Sequence, residues 1–119
     1  MKETDSYKFK KLCVLVEELC HNSLNRIVEK MNKYPDNCKN LGDYVKLCVT
    51  MEKLCNYCCS ICCNSNISKH LLSECKLKCS LMIECCAQIK KTKILKKDKE
   101  YIACEKMIKA CQKLMKMCK

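Results

Sequence analysis

The chain has 119 residues, enough for one domain with a modest core, and a formal net charge of +11. One glycine and one proline leave little punctuation for hairpins, which sets aside a β-rich fold and favours helices joined by short links. With one Phe, no Trp and 16 Cys, something other than large aromatic side chains must occupy the centre.

Sixteen cysteines in so short a chain would ordinarily indicate a secreted disulfide scaffold. The opening Met1-Lys2-Glu3-Thr4-Asp5-Ser6 lacks the apolar run and small-residue cleavage site of a secretory signal. The adjacent pairs Cys58-Cys59, Cys62-Cys63 and Cys85-Cys86 fall inside helical patterns, where neighbours point about 100° apart. A cytoplasmic protein with reduced thiols is therefore expected. No run approaches the roughly 18 apolar residues of a membrane span, so no membrane partner is expected either.

Taken in chain order, helix 1 is predicted over 5–33, starting near Thr4, Asp5 or Ser6 and stopping before Pro35. Its inner face reads Phe9, Cys13, Val16, Cys20, Leu24, Ile27 and Met31. Residues 34–40 form a polar link containing Cys38, a peripheral thiol. Helix 2 is predicted over 41–64 with Asn40 or Asp43 as N-cap and Tyr44, Cys48, Met51, Cys55, Cys59 and Cys62 facing in. Helix 3, over 67–91, turns Leu71, Leu72, Cys75, Cys79, Met82, Cys86 and Ile89 inward. A basic stretch leads to Asp98, the N-cap expected for helix 4 over 98–118, whose inner face is Tyr101, Cys104, Met107, Cys111, Leu114, Met115 and Cys118. Four similar lengths and short links predict an all-α, antiparallel up-down-up-down four-helix bundle with a Cys-lined core, one domain over 1–119.

The cysteine spacing is the sharpest signal. Cys13 and Cys20 are seven apart, as are Cys48, Cys55 and Cys62, then Cys79 and Cys86, then Cys104, Cys111 and Cys118. Seven residues fall only about 20° short of two turns, so each set forms a stripe. The four-residue steps Cys55–Cys59–Cys63, Cys58–Cys62 and Cys75–Cys79 put neighbouring Cβ atoms about 5–6 Å apart, within reach of one small ion. Antiparallel packing predicts one level of Cys13, Cys62, Cys75 and Cys118, a second of Cys20, Cys55, Cys79 and Cys111, and Cys48, Cys86 and Cys104 below. Ile27, Met31, Leu41, Tyr44, Ile89 and Tyr101 then close the lower end with hydrocarbon. Cys58, Cys63 and Cys85 lie on the flanks of their stripes.

Soft thiolates select Cu(I), Zn(II) or iron–sulfur clusters. Zinc sites usually close four ligands around one ion on loops, and iron–sulfur ligands cluster on loops with their own spacing. A continuous stripe on rigid helices fits Cu(I), which accepts two or three sulfurs and bridges between them, so several ions per chain are expected. Met51, Met82, Met107 and Met115 read as core filler, and His21 and His70 as surface residues. No nucleophile–base pair, carboxylate pair or phosphate loop is present, so no enzyme is expected. The lysines are scattered in the sequence and stacking aromatics are few, which reads as a solvated lysine face, with no nucleic-acid partner.

The pattern Tyr44-Val45-Lys46-Leu47-Cys48 through Cys55, Cys58, Cys59, Cys62 and Cys63, with Cys75-x₃-Cys79-x₆-Cys86 and Cys104-x₆-Cys111-x₆-Cys118, resembles the bacterial copper storage proteins, and the expected lack of a secretory signal is similar to their cytosolic branch. The resemblance implies storage of many Cu(I) ions in a bundle core, with these cysteines as ligands. It also implies a homo-oligomer, often a tetramer, and copper donor or acceptor proteins as partners. Two other readings stand beside it: a disulfide-stapled helical hairpin using the ten-residue offsets Cys48/Cys58 and Cys75/Cys85, and a general zinc or thiol buffer.

Overall fold

Four segments with inner residues at three- and four-residue steps fold as four helices in the computed structural model, which describes residues 3–33, 38–61, 68–91 and 99–118. They are α1 (Glu3–Lys33), α2 (Cys38–Ile61), α3 (Lys69–Lys90) and α4 (Lys99–Met117), and no strand occurs among the described residues. The 31 residues of α1, at about 1.5 Å each, account for the 45 Å long axis of a body only 20 × 19 Å across.

Each helix packs against its neighbour in sequence and α1 closes the ring on α4, with the diagonal pairs apart among the described residues. Asn56 bonds Glu17 (3.4 Å), and His21 meets Glu52 (3.1 Å), so α2 descends as α1 rises. Thiol contacts Cys75–Cys118, Cys79–Cys111 and Cys86–Cys104 run antiparallel between α3 and α4. The expected all-α antiparallel bundle is the fold observed.

The helix ends differ from expectation by a turn or less. α2 begins at Cys38, so Asn40 lies inside the helix and is not its cap, and Cys38 belongs to the first turn and not to a link. Ser68 caps α3 from an extended conformation, its hydroxyl accepting the Leu71 N–H at 3.1 Å. The expected breaker Pro35 and cap Asp98 lie outside the described residues.

Phe9 of α1 and Leu114 of α4 are buried toward one end, and Ile27 of α1, Leu41 and Tyr44 of α2, and Ile89 of α3 gather at the other. The sequence predicts a hydrocarbon plug here, and the structure corrects that reading. Tyr44 is buried, but its hydroxyl lies 3.0 Å from Ser23 Oγ and 3.2 Å from Glu100 Oε1. Arg26 reaches in from the rim, Nε donating to Glu100 Oε2 at 2.8 Å and Nη2 to Ser23 Oγ at 3.4 Å. Ser23 and Glu100 are both fully buried, whereas Leu24, Met31 and Tyr101, all expected inside, are only half-buried. A carboxylate out of water needs a cation and hydrogen bonds, and here it has both.

This quartet ties α1, α2 and α4 to one register. Arg26→Leu, which strands a buried carboxylate, is expected to lower stability by roughly 3–5 kcal/mol. Tyr44→Phe should cost about 1–2 kcal/mol. Urea denaturation of both variants under reducing conditions measures the order.

Candidate functional site

Each helix carries the same inner unit. It reads Cys13-x₂-Val16-x₃-Cys20 on α1, Cys48-x₂-Met51-x₃-Cys55 on α2, Cys79-x₂-Met82-x₃-Cys86 on α3 and Cys104-x₂-Met107-x₃-Cys111 on α4, and every one of these twelve side chains is buried. Steps of three then four keep the unit on one face. Cys58, Cys75 and Cys118 extend it at one end, making eleven buried thiols among the described residues. None of the thirteen described cysteines is in a disulfide.

The thiols meet across helices as one linked group of five and three pairs. At the end opposite the quartet, Cys58 Sγ lies 3.3 Å from Cys75 Sγ, and the Cys13 thiol is close enough to Cys55 and Cys58 for both to shift its titration. Cys75 contacts Cys118 as well, which with 6% exposure is the least covered of the eleven. Further in, Cys20 contacts Cys48, and Cys79 contacts Cys111. Cys86 and Cys104 form the last pair, and the burial of Tyr44 beside Cys48, Cys104 and Cys86 joins the thiols to the quartet. No group of three or more His, Cys, Asp or Glu is arranged around a single ion position among the described residues.

Most predicted site residues fall in this series, and α2 supplies the corrections. Cys58, read as a flank residue, is fully buried, whereas Cys59, read as inner, is half-buried with its thiol 3.7 Å from the Lys10 carbonyl. Cys58 thus holds the place opposite Cys75 that was predicted for Cys62. Cys20 likewise contacts Cys48, where Cys55 was expected. The cause is one turn of register: α2 follows Tyr44, Cys48, Met51, Cys55, Cys58, a four-three alternation that selects Cys58 over Cys59. Cys85 is half-buried on its flank as read, beside Asp43, Leu47 and Glu84. Cys62 and Cys63 lie outside the described residues, and so does the side chain of Cys38. Glu100 was missed, although its four-residue step to Cys104 and seven-residue step to Met107 put it on the inner stripe.

At five of the eleven thiols, and at Cys85, the electrostatics favour the protonated form. Neighbouring thiols, followed by burial, push Cys13, Cys20, Cys75, Cys79 and Cys86 far above the ordinary thiol range. Burial, then Cys48, Asp43 and Cys104, push Cys85 up to about 11. Cys58 is lowered because Cys13 and Cys75 hydrogen-bond to it, and Cys118 because Cys75 does. The first negative charges therefore form at the end away from the quartet.

Comparison with protein-family models, with curated proteins and with solved structures returns no match. No helix among the described residues is long and apolar enough to cross a membrane.

The raised thiols fix a sign. Above the unfolded thiol value of about 9 the unfolded chain binds fewer protons than the native one, so stability present below that pH is lost as pH rises toward the folded values. Under reducing, metal-free conditions the urea midpoint is expected to fall steadily from pH 9 to pH 11, and an unchanged midpoint would contradict the burial of these groups as thiols.

Proposed function

We propose that this chain stores or sequesters Cu(I), holding several ions along the bundle axis through cysteine thiolates. The observation that carries the reading is the run of eleven buried thiols, outside any disulfide, that neighbour one another across helices from one end of the core toward the other. A soft ion that accepts two sulfurs and bridges to the next pair suits such a run. The resemblance of the cysteine spacing to bacterial copper storage proteins supports the same reading.

Cys13, Cys20, Cys48, Cys55, Cys58, Cys75, Cys79, Cys86, Cys104, Cys111 and Cys118 are the ligands in this reading. Cys59 and Cys85 join from the flanks, and Cys62 and Cys63 on spacing alone. Cu(I) enters where Cys118 is least covered and where Cys58 and Cys118 most readily give up protons. Each incoming ion replaces S–H protons by Cu–S bonds, and the protons leave to solvent; no electron is transferred. Burial that keeps empty thiols neutral makes proton release part of binding, so affinity falls as pH is lowered. The ion is cargo, kept from redox cycling in a reducing, cytoplasmic setting, and passed to or from copper donor and acceptor proteins.

Anaerobic titration of the reduced chain with Cu(I) against a chromophoric chelator tests this. About five or more ions per chain are expected at two sulfurs each. The double variant Cys79→Ala/Cys111→Ala should bind about one fewer. A stoichiometry of one or two would refute storage, and tighter binding of Zn(II) in direct competition would reassign the cargo.

A further inference from the structure

The lysines that look scattered in the sequence are gathered by the fold. On α4, Lys99, Lys106, Lys109, Lys113 and Lys116 are all exposed. At 100° per residue they occupy an arc of about 100°, and at 1.5 Å per residue they span about 26 Å. None of the five enters an ion pair among the described residues. The stripe leans toward α1: Lys99, Ile102, Ala103 and Lys106 line one wall of a groove of about 260 Å³, with Leu19, Asn22 and Arg26 on the other. Lys8, at seven-residue multiples from Asn22, extends the α1 side of this face and is exposed. No carboxylate lines the groove.

The opposite side of the bundle is different. There Lys46 shares a groove with Asp43 and Glu84, Lys53 lies beside Glu52, and Lys78 pairs with Glu74 at 3.7 Å. The α4 lysines thus border a groove free of carboxylates, with exposed Glu18 and Glu29 on its outer α1 flank, whereas the named lysines of the α2/α3 face each lie beside an acid.

We propose that the α1/α4 face binds the phosphate backbone of double-stranded nucleic acid without regard to sequence, an interaction surface separate from the thiol core. A duplex carries one charge per about 1.7 Å of axis, so 26 Å of lysines face a dense, regular row of phosphates. Lysine suffices for that contact because it supplies point charges, whereas arginine forks and stacking aromatics are needed to read bases. A straight helix also presents its lysines on a rigid line, with their spacing fixed before any ligand arrives. The expectation of no nucleic-acid partner rested on the scatter of lysines along the sequence and on the scarcity of stacking aromatics; the fold aligns five of those lysines on α4, and contact with the backbone needs no aromatics.

The probe is a fluorescently labelled 24-base-pair DNA duplex, titrated by anisotropy with the reduced, metal-free full chain at several salt concentrations. The logarithm of affinity should fall against log salt with a slope of roughly −4 to −5, about −0.9 per phosphate neutralised. Lys106→Gln/Lys109→Gln/Lys113→Gln should flatten that slope by about three and weaken binding on the order of 100-fold near 0.1 M salt. Lys109→Gln alone should flatten it by about one. Lys46→Gln/Lys53→Gln/Lys69→Gln removes the same charge from the other side and should change affinity less than about threefold. Equal losses in the two triple variants would mean attraction by net charge alone and overturn the proposal. So would absence of duplex binding, or stripe-dependent binding to phosphatidylserine vesicles that the duplex does not match. Copper stoichiometry unchanged in the stripe variant separates this surface from the storage reading.

Discussion

The structure depends on one substitution of material: thiols stand where a helical bundle ordinarily places leucines. A cysteine is a small hydrophobe whose burial is cheap while it keeps its proton. Each inner stripe therefore packs tightly around the axis only as long as the sulfurs remain neutral or bonded. Fully buried Met51, Met82 and Met107 fill the intervals between thiols on three helices, and Val16 does so on the fourth. Flexible thioethers adapt to gaps left by such short neighbours.

The polar quartet is the counterweight at one end. Glu100 draws in Arg26, Ser23 and Tyr44 from two other helices, so the bundle has two unlike ends. Every buried side-chain nitrogen or oxygen among the described residues has a partner, so the buried charge does not leave an unmet donor or acceptor beside the thiols. At the other end the cover is thin, at Cys75 and Cys118. The inequality of the ends gives the sulfur series a direction.

The fold was legible because its signals are periodic and repeated. Seven-residue cysteine spacing, sparse glycine and proline, and the polar breaks between segments all demand the same four helices. Within a helix the inner face was read nearly to the residue on α3, where Cys75, Cys79, Met82, Cys86 and Ile89 are all buried as expected. What one-dimensional spacing could not supply is the axial offset between helices. The offset of α2 decides whether Cys58 or Cys62 faces Cys75, and it goes with the contact of Tyr44 with Ser23 of α1. Glu100 escaped notice because a carboxylate in a first helical turn has an ordinary explanation in the helix dipole. Only the convergence of Arg26 and Tyr44, 74 and 56 residues away along the chain, reveals its other role.

One absence from the quartet matters for mechanics. Its members come from α1, α2 and α4, and α3 contributes none. The third helix is joined to its neighbours through sulfur contacts at Cys75, Cys79 and Cys86, through hydrocarbon, and at its end through Lys90 over the Tyr101 ring at 5.1 Å. Bridging those sulfurs with ions would rivet the one helix that the charged latch leaves alone. The stiffness of the bundle then becomes a gauge of its load, read most directly in how fast the α3 amides exchange with solvent.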